Sequence, residues 1–306
     1  MREEKLRKLE DIARLYYEQD KTQAEIAKLY NVSRPLISRM LSEARDEGIV
    51  EIRIIGRDYG ENSISEEIKK KYNLKGGISV SEGISNENTN KLIGDAAISY
   101  MEKLGGGKIG LGWGHVIGTM VSNLEGQVPR NSSITDISPM IGNSGVPIRN
   151  YHTNENTRII AAQMKANAHF LYTPAVADSK QDRDLLIKTE QYRTVLDEWS
   201  KIDIALVNIG NYPSTPDLGT SARFGNKLIE EKAVGRMIAY FYDKDGNIIE
   251  SEDDFVIQIP LEVLKMCPNV IGICSANTNK NALIGALNSG ILTDIIVKEE
   301  LIEDLV

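Results

Sequence analysis

The stretch TQAEIAKLYNVSRPLISRMLSEARDEG, at residues 22–48, constrains the fold of this chain most. Its apolar residues repeat at helical spacing on both sides of a short polar turn, which predicts two short helices. Thr22 and Ser33 are expected to cap these helices. Pro35 suits the first turn of the second helix, and Gly48 suits its end. The pattern predicts a helix-turn-helix, whose second helix enters the DNA major groove.

The outward positions of the second predicted helix carry cationic and hydroxyl side chains. With the start of the first helix they form a predicted DNA-contacting set of Gln23, Ser33, Arg34, Ser38, Arg39 and Arg45. Arg34 and Ser38 are best placed for bases, and the others for phosphates. Two alternatives stay open: a helical hairpin with a solvated basic face, and a helical module that only mediates oligomerisation.

The distribution of charge matters more for DNA binding than the net charge of −8. Residues 1–55 hold 11 basic and 11 acidic side chains, so the remaining residues carry the whole deficit. Residues 21–42 hold four basic side chains against one acidic side chain. Phosphates respond to this local field, so the acidic bulk of the chain does not exclude DNA as a partner.

Length and composition predict a two-domain cytoplasmic protein. At 306 residues the chain is long enough for a large core and for two domains. Its N-terminal stretch is a charged amphipathic helix rather than a signal peptide, and no apolar run suggests a membrane partner. Cys267 and Cys274 stand in apolar surroundings and are expected to be buried thiols. No metal-ligand spacing or cofactor motif is recognisable.

The N-terminal domain is expected to span residues 1–56, followed by a polar linker at 57–62 and an effector domain at 63–306. The run IVEIRII, at 49–55, alternates apolar and polar side chains and predicts a strand. This strand is either a wing of the helix-turn-helix or the first strand after it.

From residue 65 onwards, predicted helices alternate with short β-branched runs, including HFLYTPAVA and MIAYFYD as strands. This alternation predicts an α/β domain with a doubly wound, mostly parallel sheet. Ligands of such sheets bind at the carboxyl ends of the strands, near a topological switch point.

Four loops at predicted strand ends carry the candidate effector residues. Glycines there permit close approach of a ligand, and small polar side chains suit sugar hydroxyls or a phosphate. With Asp243, beside a later strand, the candidates are Gly112, Trp113, Gly114, His115, Asn143, Ser144, Asn156, Gly210, Asn211, Asn277 and Lys280. Close packing of strand and helix is the alternative reason for the glycines, and Trp113 needs no function as a core aromatic. Lys280 is predicted in the first turn of a helix, where it opposes the dipole and is either solvated or held by an anion.

Catalytic patterns are weak in this sequence. The three histidines show no metal spacing, and no nucleophile elbow, Walker loop or HExxH sequence is present. We therefore predict a binding protein rather than an enzyme. A sugar-phosphate isomerase or deaminase with a fused helical module is the alternative, and it would require a general base poised over a sugar carbon.

Nearly the whole chain resembles the SorC family of bacterial transcriptional regulators, which includes deoxyribonucleoside and central-glycolysis repressors. The segments VSRPLISRMLSEARDEGIVEI, KIGLGWGHVIGTMVSNL, IDIALVNIG, AVGRMIAYFYDKDG and NKNALIGALNSGILTDIIV are similar to those of the family and follow its order. The resemblance implies a repressor with an effector domain similar to the sugar-phosphate isomerase fold. It also implies a sugar or phosphorylated sugar as effector, operator DNA as partner, and a homotetramer or dimer.

Lys280 matches the family lysine that faces the anionic end of the ligand, which favours a phosphorylated effector. The chain departs from the family pattern at two places. His115 and Val116 stand where an Arg-Thr pair is usual, and the segment before Lys280 is Ser-Ala-Asn-Thr rather than glycine-rich.

Overall fold

The structure is a computed structural model that describes residues 2–50, 64–129, 131–213, 220–252, 254–303 and 305. The chain divides into two compact units, Met1–Asp58 and Tyr59–Val306. The predicted linker and residues 51–55 of the strand predicted at 49–55 lie outside the described residues, so both stay predictions. Among the residues described, no helix combines the length and the apolar character that a membrane span requires.

Within its described residues, the N-terminal unit contains three helices, α1 (Arg2–Tyr17), α2 (Gln23–Leu29) and α3 (Arg34–Asp46). Their apolar faces meet in a small core to which each helix contributes, with Ile12, Ile26 and Ile37 fully buried. Asn31 takes a positive φ of 50° between α2 and α3, a conformation that asparagine tolerates better than most residues. The predicted helix-turn-helix is confirmed.

The limits of α2 and α3 follow from local hydrogen bonds. Thr22 and Glu25 form a reciprocal capping box, in which Oγ1 of Thr22 accepts from the Glu25 N–H and the Glu25 carboxylate accepts from the Thr22 N–H at 2.8 Å. At the end of α3, Gly48 has a φ of 74°, and the N–H of Ile49 donates to the carbonyl of Ala44 at 2.8 Å. This is the glycine-dependent helix stop that the sequence predicts.

Ser33 lies at the N-cap position of α3, but its side chain makes no capping hydrogen bond, which corrects the predicted cap. A capping side chain accepts from the second or third helical N–H. The second helical residue is Pro35, which has no N–H, and the N–H of Leu36 donates instead to the Ser33 carbonyl at 3.0 Å.

The described part of the second unit is built on one ten-stranded sheet. Its strands are β1 (Gly76–Val80), β2 (Gly107–Leu111), β3 (Ile134–Pro139), β4 (Asn167–Ala168), β5 (Ile204–Asn211), β6 (Gly235–Met237), β7 (Tyr240–Tyr242), β8 (Ile248–Ile249), β9 (Asn269–Cys274) and β10 (Asp294–Lys298). Seven strands are parallel, in the order β1-β10-β9-β5-β2-β3-β4. The antiparallel strands β6, β7 and β8 continue from β5.

The helices of this unit lie before, between and after these strands along the chain. They are α4 (Glu66–Tyr72), α5 (Asn86–Lys103), α6 (His115–Leu124), α7 (Thr153–Met164), α8 (Lys180–Leu186), α9 (Glu190–Trp199), α10 (Thr220–Phe224), α11 (Lys227–Glu230), α12 (Leu261–Met266), α13 (Lys280–Asn288) and α14 (Glu299–Glu303). A 3-10 turn at Arg149–Tyr151 precedes α7.

Both faces of the sheet are buried. Along β5, Ile204 and Leu206 belong to one apolar cluster, whereas Ala205 and Val207 belong to another. Alternate residues of a strand point to opposite faces, so an apolar core covers each side. The doubly wound, mostly parallel sheet predicted from the sequence is confirmed.

Two predicted strands differ in the structure. MIAYFYD is a hairpin of β6 and β7 that turns at Ile238, a buried residue with a φ of 54°. This turn carries none of the glycine or asparagine residues that announce a tight hairpin. HFLYTPAVA begins directly after β4, which ends at Ala168, and its strand pairing is limited to isolated bridges of Pro174 with Asn143 and of Val176 with Val256. Proline has no N–H to give to a strand ladder.

Candidate functional site

The DNA-facing candidate surface is the outer side of α3 with the start of α2. Ile37, Leu41 and Ala44 bury the inner side of α3 against the rest of the domain. The predicted contact residues lie on the opposite side, and all of them are exposed except Gln23, which is partly exposed: Gln23, Ser33, Arg34, Ser38, Arg39 and Arg45.

The start of α2 and the start of α3 open into one shared hollow. This hollow has a volume of about 590 Å³, and its lining includes Tyr17, Lys21, Gln23 and Arg34. Gln23 and Arg34, which are 11 positions apart in the sequence, therefore face the same space. At the other end of α3, Nη2 of Arg45 donates to the Ser42 hydroxyl at 3.2 Å, so this guanidinium lies close to its own helix.

The effector candidates are best understood from the order of the strands. β2 connects through α6 to β3 on one side, whereas its other neighbour is β5, which pairs with β9 on the far side. The chain therefore reverses direction across the sheet between β2 and β5, and ligands of such sheets bind in a crevice outside the carboxyl ends of the strands at this switch point. Gly112, Gly114, Gly210 and Asn211 all belong to the ends of these two strands.

Gly114 brings the two sides of this crevice together. It has a φ of 118°, and a Cβ atom there would lie 2.8 Å from Nδ2 of Asn208 on β5. Any larger residue would therefore be strained and would push Asn208 away. The close strand-to-helix approach that the glycines predicted is real, and it lies at the switch point itself.

Trp113 is a buried core aromatic just beyond the end of β2. It is 1% exposed, and its Nε1–H donates to the carbonyl of Ile238 at 3.1 Å. The Trp113 ring packs edge-on against Tyr151 with the ring centroids 6.0 Å apart, and the guanidinium of Arg236 lies 5.9 Å from the Trp113 ring centroid.

His115, the first residue of α6, is exposed, and its Nδ1 lies 3.4 Å from Nδ2 of Asn150.

The candidates in the loop after β3 are occupied by the loop itself. Oδ1 of Asn143 accepts from the Thr153 hydroxyl at 3.0 Å and from the N–H of Asn154 at 3.2 Å. The hydroxyl of Ser144 accepts from a backbone N–H two residues on, and the buried Asn156 amide donates to the carbonyl of Asn150. These hydrogen bonds within the loop are a sufficient reason for polar side chains at these positions, whether or not a ligand binds there. Their role in binding stays a prediction.

The ends of β5 and β9 are joined by side-chain amides. Asn211 donates to the carbonyl of Asn277 at 2.8 Å and accepts from the N–H of Asn279 at 2.9 Å. The side chain of Asn279 accepts from the N–H of Ala282 and so caps α13. Lys280 follows as the exposed first residue of α13, as predicted, beside a helix start that the protein already caps.

Asp243, a predicted effector residue, and Asp203 both have structural roles. Asp243 closes the turn after β7, where its Oδ1 accepts from the N–H groups of Asp245 and Asn247. Asp203 precedes β5 at the opposite end of the strand from the crevice, and it accepts from the N–H of Lys108 at 2.9 Å.

Sequence reasoning passed over Arg236, which lies beside the end of β5. It is 6% exposed and stands opposite Gly210 in the pairing of β6 with β5. The sequence does offer one sign of this residue, which is a single arginine inside the apolar run AVGRMIAYFYD. Arginine is seldom buried in a strand unless another group pairs with it.

The described residues contain no group of three or more histidine, cysteine or acidic side chains that could hold a metal. Both cysteines are buried, as predicted. Burial raises the pKa of the Cys267 thiol to about 11 and that of Cys274 to about 12. Neither thiol is a reactive nucleophile at neutral pH.

A helix-turn-helix unit followed by a doubly wound α/β unit with a switch-point crevice is the architecture of a ligand-responsive DNA-binding regulator. Residues 59–306 match the family described as "Putative sugar-binding domain". The chain belongs to that family, and it is a SorC-family transcriptional regulator. Its α/β unit is the sugar-binding effector domain of a DNA-binding regulator.

Individual relatives cover both units. The sorbitol operon regulator of Klebsiella pneumoniae is 30% identical over 310 residues, with 97% of each chain covered. The deoxyribonucleoside regulator of Bacillus subtilis is 23% identical, covering 97% of this chain and 96% of its own. The crystal structure of full-length SorC from Klebsiella pneumoniae superposes with a TM-score of 0.71 at 28% identity and 98% coverage of both chains. These relatives are named as regulators, which points to a regulatory rather than a catalytic role.

Proposed function

We propose that α3 reads operator DNA, with Arg34 and Ser38 contacting bases. Gln23, Ser33, Arg39 and Arg45 would contact phosphates. The observation that carries this proposal is that all four α3 residues are exposed on a helix whose opposite side is buried in the domain core. The hollow shared by Gln23 and Arg34 adds a second support, since both residues face one space at the start of the two helices.

The phosphate role of Arg39 is tested by salt dependence. Arg39→Ala should weaken DNA binding across all sequences and reduce the slope of log K against log salt by about 1. Arg14→Ala is the matched control, because Arg14 is an exposed arginine of α1 paired with Glu10 and Glu18. An unchanged slope in Arg39→Ala would contradict the phosphate contact.

The crevice between β2 and β5 is the proposed effector site, and a phosphorylated sugar is the proposed effector. Gly114 and Gly210 allow close packing at the ends of β2 and β5, while Asn211 and Asn277 hold the neighbouring loop in place. Gly112, Trp113 and His115 would form its β2 side, and Lys280 would face the anionic end of the ligand. Asn143, Ser144, Asn156 and Asp243 are retained as lining or supporting residues.

A thermal-shift screen tests the effector and the role of Lys280 together. Sugars and their phosphate esters would be compared on the full chain and on Lys280→Ala. We expect phosphate esters to stabilise the native chain more than their parent sugars, with much of that difference lost in Lys280→Ala. A phosphate-dependent shift that survives in Lys280→Ala would contradict the assignment of Lys280.

The proposed protein senses its sugar without turning it over. A carboxylate–histidine pair does exist, with Nε2 of His169 lying 3.0 Å from Oδ1 of Asp136. Asp136 lies on β3 and His169 directly follows the edge strand β4, so β2 separates this pair from β5 and the switch point. Release of an isomerised or deaminated product from a bound sugar phosphate would overturn this proposal.

We further propose a cytoplasmic homotetramer that acts as a repressor, the properties implied by the SorC family. A regulator must reach its operator, which supports the location. Sedimentation equilibrium should give the mass of four 34.0 kDa chains. A monomer at the concentration that saturates DNA would contradict the assembly.

A further inference from the structure

The hollow between α1, α2 and α3 is lined by residues that the DNA-contacting set does not include. Besides Gln23 and Arg34, its lining includes Tyr17 at the end of α1, and Asp20 and Lys21 from the connection to α2. Arg34 begins α3, so the hollow lies beside the start of the helix proposed to read bases. The sugar–phosphate backbone borders the bases of the major groove, so we expect a concave surface at this place to meet that backbone.

Backbone hydrogen bonds fix the connection that carries Asp20 and Lys21. The N–H of Gln19 donates to the carbonyl of Arg14 at 3.2 Å, and the N–H of Lys21 donates to the carbonyl of Leu15 at 3.0 Å. Between them, Asp20 takes a φ of 52°, in the left-handed region that aspartate and asparagine tolerate. The connection is therefore folded back onto the end of α1, which holds Lys21 at the hollow.

Tyr17 is held at the hollow by an aromatic neighbour. It is 39% exposed, and its ring packs edge-on against Tyr16 with the ring centroids 4.9 Å apart. Tyr16 is partly buried and packs against the apolar core of the unit. Tyr17 therefore presents a hydroxyl-bearing ring from a fixed position, and tyrosine hydroxyls are among the groups that contact DNA phosphates.

The hollow has an excess of positive charge, because Lys21 and Arg34 line it with Asp20 as the acidic residue. Within the described residues of this unit, neither cation takes part in an ion pair. Glu25 lies near Lys21, but its carboxylate is held by the hydroxyl and the N–H of Thr22 at 2.7 Å and 2.8 Å. The positive charge of the hollow is thus available to an anion.

A second hollow of the same unit has the opposite balance of charge. Its volume is about 500 Å³, and its lining includes Glu10, Arg14 and Glu18. Arg14 pairs with both glutamates, at 3.0 Å and 3.4 Å. Tyr17 lines both hollows, so the difference between them lies in the charged residues. Two carboxylates against one paired cation repel phosphate, so the first hollow is the one that suits DNA.

We propose that the first hollow binds a phosphate of the operator backbone, held by Lys21 and Tyr17 and opposed by Asp20. The inference rests on the proposed reading of operator DNA by α3 and adds a contact outside that helix. Lys21 neutralises one phosphate, and the Tyr17 hydroxyl donates to one of its oxygens. The carboxylate of Asp20 repels the same phosphate and so limits binding to DNA of any sequence.

Binding of the full chain to a duplex that it selects from a random pool tests this inference. The variants are Lys21→Gln, Asp20→Asn and Tyr17→Phe. Arg14→Gln, in the second hollow, is the control for removing an exposed cation. Asparagine keeps the left-handed conformation of residue 20. Thermal melts establish that each variant is folded, and Lys21→Ala takes the place of Lys21→Gln if the latter is not.

Lys21→Gln should reduce the slope of log K against log salt by about 1, the change expected for one lost phosphate contact. Asp20→Asn should instead tighten binding by about 2- to 5-fold, because a repulsive charge is removed. Tyr17→Phe should weaken binding without changing the slope, since it removes an uncharged donor. Arg14→Gln should keep the native slope.

A scan of the duplex locates the phosphate. Single methylphosphonate linkages, which carry no charge, replace the phosphates of the selected duplex one at a time. The native chain should lose affinity at a linkage that borders the bases contacted by α3, and Lys21→Gln should be insensitive to the same linkage. Arg14→Gln should keep the native sensitivity there.

A folded Lys21 variant with the native salt slope and the native response to every linkage would overturn this inference. If Arg39→Ala lowers the slope in the same assay, the reading of DNA by α3 is supported while the phosphate site is not. Weaker binding by Asp20→Asn would overturn the role of Asp20. A native chain that selects no duplex would count against the proposed function and, with it, against this phosphate site.

Discussion

Trp113 shows at the scale of single residues how the crevice is held in shape. Its indole N–H donates a hydrogen bond to the carbonyl of Ile238, and this bond joins the end of β2 to the turn between β6 and β7. Trp199 makes an equivalent bond elsewhere, because its Nε1–H donates to the carbonyl of Pro139 at 2.8 Å. The two tryptophans are equally buried, so they form a matched pair.

Both Trp113→Phe and Trp199→Phe should lower the free energy of unfolding by about 2–4 kcal/mol, since each leaves a buried carbonyl without its donor and a smaller ring in its place. Only Trp113→Phe should also weaken effector binding, because only Trp113 lies at the switch point. Urea denaturation and calorimetric titration measure the two effects. Equal effector affinity in both variants would contradict the assignment of the crevice.

Single residues were the hardest part to predict from the sequence. The glycines at strand ends were recognisable because their spacing has a backbone reason. Asn143 and Asn156 look like ligand-binding amides in the sequence, yet their polar atoms serve the local backbone. Arg236 went unrecognised because its position depends on β6 turning back beside β5, a long-range pairing that local pattern does not reveal.

At the scale of elements, α2 is a helix of only seven residues whose start depends on the capping box. Such a short helix has little stability of its own. The pKa of Glu25 is lowered from its ordinary value of 4.5, chiefly by the hydrogen bond from Thr22. A lowered carboxyl pKa means that the charged form stabilises the fold, so this stabilisation is present above 4.5 and is lost as the pH falls through the lower, folded value.

Glu25→Gln mimics the protonated glutamate. At neutral pH we expect faster hydrogen exchange in the α2 amides of this variant than in the native chain. The difference should close once the pH is well below 4.5, where the native side chain is also neutral. Glu18→Gln, at an exposed acidic residue outside α2, is the control for removing a negative charge. A difference that persists at low pH would contradict the charge-assisted cap.

Element boundaries were predictable from the sequence where local hydrogen bonds and backbone conformation determine them. They were not predictable where the pairing of distant strands determines them. Thr22 and Gly48 were predictable because a cap and a left-handed stop are local requirements. The hairpin at Ile238 was not, since a buried β-branched residue with positive φ is held there by its surroundings rather than by its own preference.

At the scale of the whole molecule, two units serve two ligands. One unit presents exposed arginines on α3, and the other places its crevice at the reversal of a parallel sheet. The α/β alternation predicted the second fold because both faces of its strands are apolar over long runs. A regulator built this way requires its sugar to favour one DNA-binding state over another, since a ligand with equal affinity for both regulates nothing.

The most direct test is the operator affinity of the full chain with and without the sugar or sugar phosphate that stabilises it most. The DNA is a duplex selected by the protein from a random pool. We predict that saturating effector changes the dissociation constant by about 5- to 150-fold, and that the duplex changes effector affinity by the same factor. An operator affinity that stays the same at saturating effector would contradict the account.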